Sequence, residues 1–340
     1  MDVLSPLERL KLVLEGKETE RPPVICPGGM MNSAIVDVMD KHGHVLPEGH
    51  SDPKIMTALA QDVQQDTGFE NFGIPFCMTV EAEALGSAID FGSLKCEPKI
   101  AKEVFASVND VVYKEDGAIV KSKRAGTVFE TISSIAKTEP DIPIIGSITG
   151  PLSTAASVVD PMQFLKELRK AKDNAHRFVD YVTNQLIDYA KYMIDNGANV
   201  ISIADPTATG EILGPKMFGD YAVTYINKLA EAVQDMGVPV IVHICGHLNS
   251  VTQHIARINA NAISVDAMVS LKKLKTEYPH ITTMGNISTY MLEFGETEKI
   301  QRRTENLLSD KINILAPACG LSTSTPLKNI QAFTGTVKNG

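Results

Sequence analysis

Cysteine is scarce in this 340-residue chain, with five residues at positions 26, 77, 96, 245 and 319. An odd number, thinly spread and without an export signal, does not suggest a disulfide framework. Tryptophan is absent and aromatics make up only 6% of the residues. No stripe of Lys and Arg interleaves with them, and the net charge is -9; both features argue against a nucleic-acid groove. No apolar run reaches the ~18 residues that cross a bilayer. The N-terminal "MDVLSPLERLKLVLEGKE" lacks the basic, apolar, small-residue order of a secretory signal. A cytoplasmic protein without a membrane segment is therefore expected. What is present, 44% hydrophobic and 21% charged residues, suits a soluble globular protein with a sizeable core. The densest basic cluster, "KELRKAK" (166–172), reads as the solvated face of a helix.

Eight short, apolar, β-branched runs recur along the chain. They are "PPVICPG" (22–28), "FENFGIPF" (69–76), "IPIIGSITG" (142–150), "NVISIADP" (199–206), "VPVIVHICG" (238–246), "NAISVDAM" (261–268), "ITTMGNIS" (281–288) and "INILAPACG" (312–320). Continuous apolar runs of this kind suit parallel strands buried on both faces. Amphipathic stretches at 162–198, 215–237 and 297–310 read as the helices between them. Alternating strand and helix implies a parallel sheet, and eight strands favour a single (β/α)8 TIM barrel over a doubly wound open sheet. Nothing resembles a linker, so residues 1–340 read as one domain. The long intervals 29–68 and 77–141 are expected to carry extra N-terminal helices or an excursion over the barrel mouth, with a small hairpin in 95–124.

In a barrel, functional residues sit at the C-terminal ends of the strands. His243 and Cys245 end the fifth run and Cys319 lies in the eighth. Asp205 ends the fourth, Asp266 the sixth and Asn286 the seventh. Zinc takes His nitrogen and Cys thiolate, and catalytic sites use three protein ligands with one position open. His243, Cys245 and Cys319 could form such a set. The alternative is two small buried cysteines and a histidine satisfied by a neighbour. Two thiolates would make zinc a poor activator of water but a good holder of an incoming thiol, whose ordinary pKa near 8.5 leaves it mostly protonated at neutral pH. That chemistry favours alkyl transfer to sulfur. Asp205 is a candidate to orient His243, or else a helix cap. Cys77, Asn286 and Asp266 are candidate substrate-binding residues. Glu81, Glu83 and His247 read as structural or solvated.

These segments resemble the zinc-dependent methylcobalamin:coenzyme M methyltransferases of the uroporphyrinogen decarboxylase superfamily. The resemblance runs through "RLKLVLEGKETERPPV", "PFCMTVEAEALG", "GSITGPLSTAASVV", "ANVISIADPTAT", "VIVHICGH" and "ILAPACGLSTSTPLKNIQAF". It places the family's H-x-C…C zinc motif on His243, Cys245 and Cys319. It implies a methyl transfer from methylcobalamin, carried by a separate corrinoid-binding protein, to a small thiol held on Zn2+, with coenzyme M the usual acceptor. Homocysteine, another thiol or tetrahydrofolate would be alternative acceptors, and a non-catalytic accessory to corrinoid proteins is a further reading. True uroporphyrinogen decarboxylases carry an Arg-rich segment after the first strand, where this chain has "CPGGMMNSA", and a catalytic Asp where it has Cys77. Decarboxylation is therefore disfavoured. "DKHGHV" (40–45) imitates the start of a cobalt-ligating D-x-H-x-x-G motif but has Val45 in place of the glycine, so the corrinoid is expected on another protein.

Overall fold

The computed structural model describes residues 4–340. Six strands form one parallel sheet in spatial order: Phe72–Ile74, Ile144–Thr149, Val200–Ala204, Val240–Ile244, Ala262–Val265 and Thr283–Met284. Two further segments complete a ring. Residues 314–317 run beside Thr283–Met284, with Ile314 N donating to Thr283 O (3.0 Å) and Gly285 N to Ile314 O (3.0 Å). Residues 23–26 come next, with Ile25 N donating to Leu315 O (3.0 Å) and Leu315 N to Pro23 O (2.9 Å). That segment meets the chain entering strand Phe72–Ile74, since Glu70 N donates to Val24 O (2.9 Å). All eight expected runs thus lie in one parallel (β/α)8 ring, and they are numbered here as barrel strands one to eight in chain order.

Strand alternation sorts the side chains. Ile25, Ile145, Val200, Ile241, Ala262, Met284 and Ile314 belong to one inner apolar cluster. Helix Pro6–Leu14 plugs the N-terminal end of the barrel by adding Leu10, Val13 and Leu14 to that cluster. The plug helix starts at a capping box: Glu8 N donates to Ser5 Oγ (3.2 Å), and Ser5 N donates to Glu8 Oε2 (2.8 Å), so two otherwise orphaned donors are satisfied. Two residues beyond four of these inner positions, on the same side of the strands, come Ser147, Ser202, His243 and Ser264, all buried. The interior therefore turns polar toward the C-terminal mouth.

The outer core packs helices against the opposite strand faces. The stretch expected at 162–198 forms two helices, Pro161–Lys170 and Lys172–Asp195. In the second, Gln185 and Tyr189 are buried. The stretch at 215–237 is interrupted: Gly210–Met217, with a non-helical Gly214, leads into a π-helical segment at Phe218–Val223 and then Thr224–Asp235. Helix Thr297–Ser309 packs on the C-terminal helix Leu327–Asn339.

The first long interval carries helices Val36–His42 and Pro53–Thr67, with a short 3-10 turn at Glu48–His50. The second carries a two-stranded antiparallel arm, Ala88–Asp90 with Lys99–Lys102, and the helix Lys123–Thr138. The hairpin thus starts earlier than expected. Two contacts tie it to the mouth: Asn32 Nδ2 donates to Glu97 Oε1 (2.7 Å), and Thr323 Oγ1 to Lys95 O (3.1 Å). In "CPGG", Gly28 has φ 92°, and a Cβ there would sit 2.5 Å from the Gly73 backbone. Only glycine allows strands one and two to pass so closely. No helix among the described residues is long and apolar enough to cross a membrane.

Candidate metal centre

Strand five carries His243 into the barrel interior, and the chain leaves the strand through Cys245 and Gly246. Gly246 has φ 74°, and a Cβ there would lie 2.4 Å from Glu211 Oε2. The "C-G" step therefore turns the chain sharply at the rim while Cys245 stays beside His243. Across the mouth, the segment after strand eight brings in Cys319. His243 Nε2 lies 3.0 Å from Cys245 Sγ, and the two sulfurs are 3.7 Å apart. All three donor atoms fall within 4.8 Å of one another.

This triangle fits zinc. Zn–S bonds of about 2.3 Å in a tetrahedral centre place two sulfurs about 3.8 Å apart, close to the observed separation. A disulfide would need about 2.05 Å, and both cysteines are free thiols. The two sulfurs act on each other: the contact with Cys245 holds the Cys319 thiol low, with His243 adding to the effect, while the same contact and burial push Cys245 up. Met30 Sδ lies 3.9 Å from Cys245 Sγ. Cys319 also lines a cavity of about 670 Å³ with Met30, Glu97, Thr289 and Glu293, so the triangle borders space a substrate can enter.

The partner that orients His243 is Ser264, with its Oγ 2.9 Å from His243 Nδ1. The two residues are paired in register on strands five and six. A hydrogen bond at Nδ1 leaves Nε2 to face the sulfurs. Asp205, the candidate for this task, is buried but points elsewhere. Its carboxylate accepts from Leu152 N (2.9 Å), Ser153 N (2.8 Å) and Ser153 Oγ (2.6 Å), capping helix Pro151–Val158. Burial raises its proton affinity despite those bonds. Asn286 donates both amide hydrogens, to Asp266 O (2.9 Å) and Val269 O (2.8 Å), and so pins the loop after strand six. Asp266 Oδ1 accepts from Met268 N (3.0 Å), and its charge is felt at Cys245. None of these three side chains hydrogen-bonds to the donor triangle.

Cys77, at the end of strand two, is buried against the Arg124 guanidinium, whose Nη2 donates to its Sγ (2.9 Å). Burial alone would push this thiol up, but Arg124, with His50 and Thr79, brings it down to about 6. Glu83 pairs with Arg124 Nη1 (2.8 Å). Glu81 accepts from Thr149 N (2.8 Å) and Thr149 Oγ1 (3.1 Å), and burial raises it to about 7. His42 and His44, from the near-miss cobalt motif, face Asp66 and Asp62 on helix Pro53–Thr67. Ser264, Arg124 and His50 were not marked by any motif. Ser264 had one signal, a polar residue inside an apolar run at the depth of His243.

Fold and site together define a parallel-barrel protein with a preassembled His/Cys/Cys donor set at the C-terminal rim. The chain belongs to the uroporphyrinogen decarboxylase family: the family model described as "Uroporphyrinogen decarboxylase (URO-D)" matches residues 5–340. Within that family it is 30% identical over 341 residues to "Methylcobamide:CoM methyltransferase MtbA" of Methanosarcina acetivorans, covering 100% of this chain and 99% of the relative. It is 31% identical over 336 residues to "Methylcobamide:CoM methyltransferase MtaA" of Methanosarcina barkeri, covering 96% and 95%. A solved structure described as a "methyltransferase from Methanosarcina mazei" superposes with a TM-score of 0.92 at 30% identity, covering 99% of each chain.

Proposed function

We propose that residues 1–340 form one corrinoid-dependent methyltransferase unit, acting in the cytoplasm, that moves a methyl group from a methylated corrinoid on a separate protein to the thiol of coenzyme M. The observation that carries this reading is the convergence of His243 Nε2, Cys245 Sγ and Cys319 Sγ beside an open cavity. These three side chains would hold zinc, which when bound favours an incoming thiol in its nucleophilic, deprotonated form.

The chain's own residues do the rest by position. Ser264 fixes the His243 ring so that Nε2 and both sulfurs face one point. Met30 walls one side of Cys245, and strand ends fix the remaining geometry. A thiol placed here meets a methyl donor arriving at the mouth. The S–C bond forms as the methyl–cobalt bond breaks, with the bonding pair left on cobalt and the thiol proton released to solvent. Holding the sulfur in line for this displacement supplies much of the acceleration.

A decarboxylase reading has less support. The turn after strand one, "CPGGMMNSA", offers no arginine for substrate carboxylates, and Cys77 stands where that chemistry needs an aspartate. The intact donor set likewise argues against a purely accessory role.

The test uses the zinc-loaded protein with free methylcobalamin and a panel of thiols, following corrin absorbance. We expect about one equivalent of zinc and rapid demethylation with 2-mercaptoethanesulfonate. Substoichiometric zinc after loading, or no turnover with any thiol, would overturn the assignment.

A further inference from the structure

Aromatic residues are few in this chain and most are buried, yet Tyr290 is 73% exposed and Phe294 63%, the most of any aromatic among the described residues. Both lie on the short helix Thr289–Phe294, which follows strand seven. Residues four apart share one face of a helix, and the two rings meet there with centroids 4.9 Å apart. The adjoining face carries Thr289 and Glu293, which line the cavity of about 670 Å³ together with Cys319. Leu292 is buried and Met291 packs against the outer core. The helix thus gives one side to the core and one to the metal cavity, and leaves an aromatic pair facing solvent between them.

The pair is held firmly. Glu293 Oε1 accepts from Ser322 Oγ (2.8 Å), which ties the helix to the segment that carries Cys319. At the helix end, Asn329 Nδ2 donates to Leu292 O (2.8 Å) and Gly295 O (3.0 Å). On the Cys245 side of the donor triangle stands Met268, 56% exposed. It lines a cavity of about 190 Å³ with His247, two residues beyond Cys245. Its loop is the one that the Asn286 amide pins, just before the Ser288 cap of the aromatic helix. Exposed apolar side chains therefore flank the triangle on the side of each cysteine.

Scattered apolar residues on a surface need no explanation, but apolar groups gathered around a polar cavity mark a contact site. The direct displacement proposed above fixes what must lie there. The methyl group sits on cobalt at the centre of a flat corrin ring. When its carbon meets a sulfur at the triangle, the ring must spread outward over the side chains that surround the mouth. Corrin carries methyl groups and uncharged amides, so apolar and aromatic side chains suit it better than charged ones. We propose that Tyr290 and Phe294, with Met268, form the platform on which the corrin ring of the methyl donor lies while its methyl group faces the metal centre. The role of that ring as donor rests on the function proposed above; its binding to this platform can be measured without methyl transfer.

The first measurement is equilibrium gel filtration of the zinc-loaded protein in methylcobalamin with no thiol present. Wild type should retain the corrin. The double variant Tyr290→Ala with Phe294→Ala should weaken retention about tenfold or more, as expected when two aromatic contacts are lost. Met268→Ala should weaken it by a smaller factor. Tyr290→Phe with Phe294→Leu keeps an apolar surface and should restore most of the binding. No retention by wild type would overturn the proposal, as would equal retention by the double alanine variant, which would leave the rings only their mutual contact along the helix.

The second measurement compares two methyl donors with 2-mercaptoethanesulfonate as the thiol. The double alanine variant should lower kcat/KM for methylcobalamin about tenfold or more. Alkylation of the same thiol by methyl iodide, which has no ring, should stay close to wild type. An equal loss with both donors would overturn the proposal and assign the aromatic pair to the integrity of the metal centre. Zinc content and melting curves of each variant separate misfolding from lost recognition. If wild type turned over methylcobalamin with no thiol at all, the transferase reading would fall, and the retention measurement would still decide the platform.

Discussion

Outside the donor triangle, His243 is oriented by the hydroxyl of Ser264, 2.9 Å from its Nδ1. Outer partners of metal-bound histidines typically carry about 10–100-fold in affinity. Ser264→Ala should therefore weaken zinc by that order in a chelator competition while leaving the fold intact; unchanged affinity would show that packing alone orients the ring. The three donors were legible in the sequence because H-x-C and a distant cysteine both end apolar runs. Ser264 was not, because serine is common in strands and its role depends on the register between strands five and six. Asp205 was weighed as the orienting carboxylate, yet it meets three donors from Leu152 and Ser153 and is held as a helix cap. Cys77 makes a separate, signed prediction. Its thiol lies at about 6 in the folded protein against an ordinary 9.0. For such a depressed acid, the stabilisation is complete above pH about 9 and is lost as pH falls through about 6. In denaturant melts, the stability advantage of wild type over Cys77→Ser should shrink across that window. A difference that stays flat with pH would place a neutral thiol beside Arg124.

At the scale of elements, the plug helix Pro6–Leu14 decides whether the barrel floor is closed. Leu10 is fully buried and joins the inner apolar cluster beside Ile145 and Ile241. Leu10→Ala should cost about 2–5 kcal/mol, the range for emptying a packed leucine site. Ser5→Ala at the same helix's cap should cost only about 1 kcal/mol. Urea melts of both variants test that ordering, and near-equal losses would mean that the floor is loosely packed. Strands such as Val200–Ala204 and Val240–Ile244 are buried at every position, so their continuous apolar runs made them readable. The hairpin Ala88–Asp90 with Lys99–Lys102 is largely exposed; without a buried face it leaves no clear alternation of apolar and polar residues. The π-helical segment at Phe218–Val223 was equally hidden, because its apolar spacing continues that of the flanking helices.

At the scale of the whole molecule, the donor triangle differs from a zinc finger in what assembles it. His243 and Cys245 come from strand five and Cys319 from the segment after strand eight, and both segments are locked into a ring with an extensive apolar core. Small metal domains are unfolded without their ion because the ion supplies most of their folding energy. Here the core holds the ligands in place, so the metal-free protein should keep its secondary structure. Zinc held by this triangle would bind the native state preferentially and should stabilise it by RT ln(1 + [Zn]/Kd), about 4 kcal/mol when free zinc is 1,000 times Kd. Stripping the metal should leave the far-ultraviolet circular dichroism spectrum unchanged at 25 °C but lower the Tm by several degrees, reversibly on adding zinc. Cys319→Ala should melt near the metal-free wild type and respond far less to zinc. If stripping instead unfolded the chain at 25 °C, the closed barrel would not be what preassembles the site. If Cys319→Ala gained as much from zinc as wild type does, the third donor would have to come from another residue.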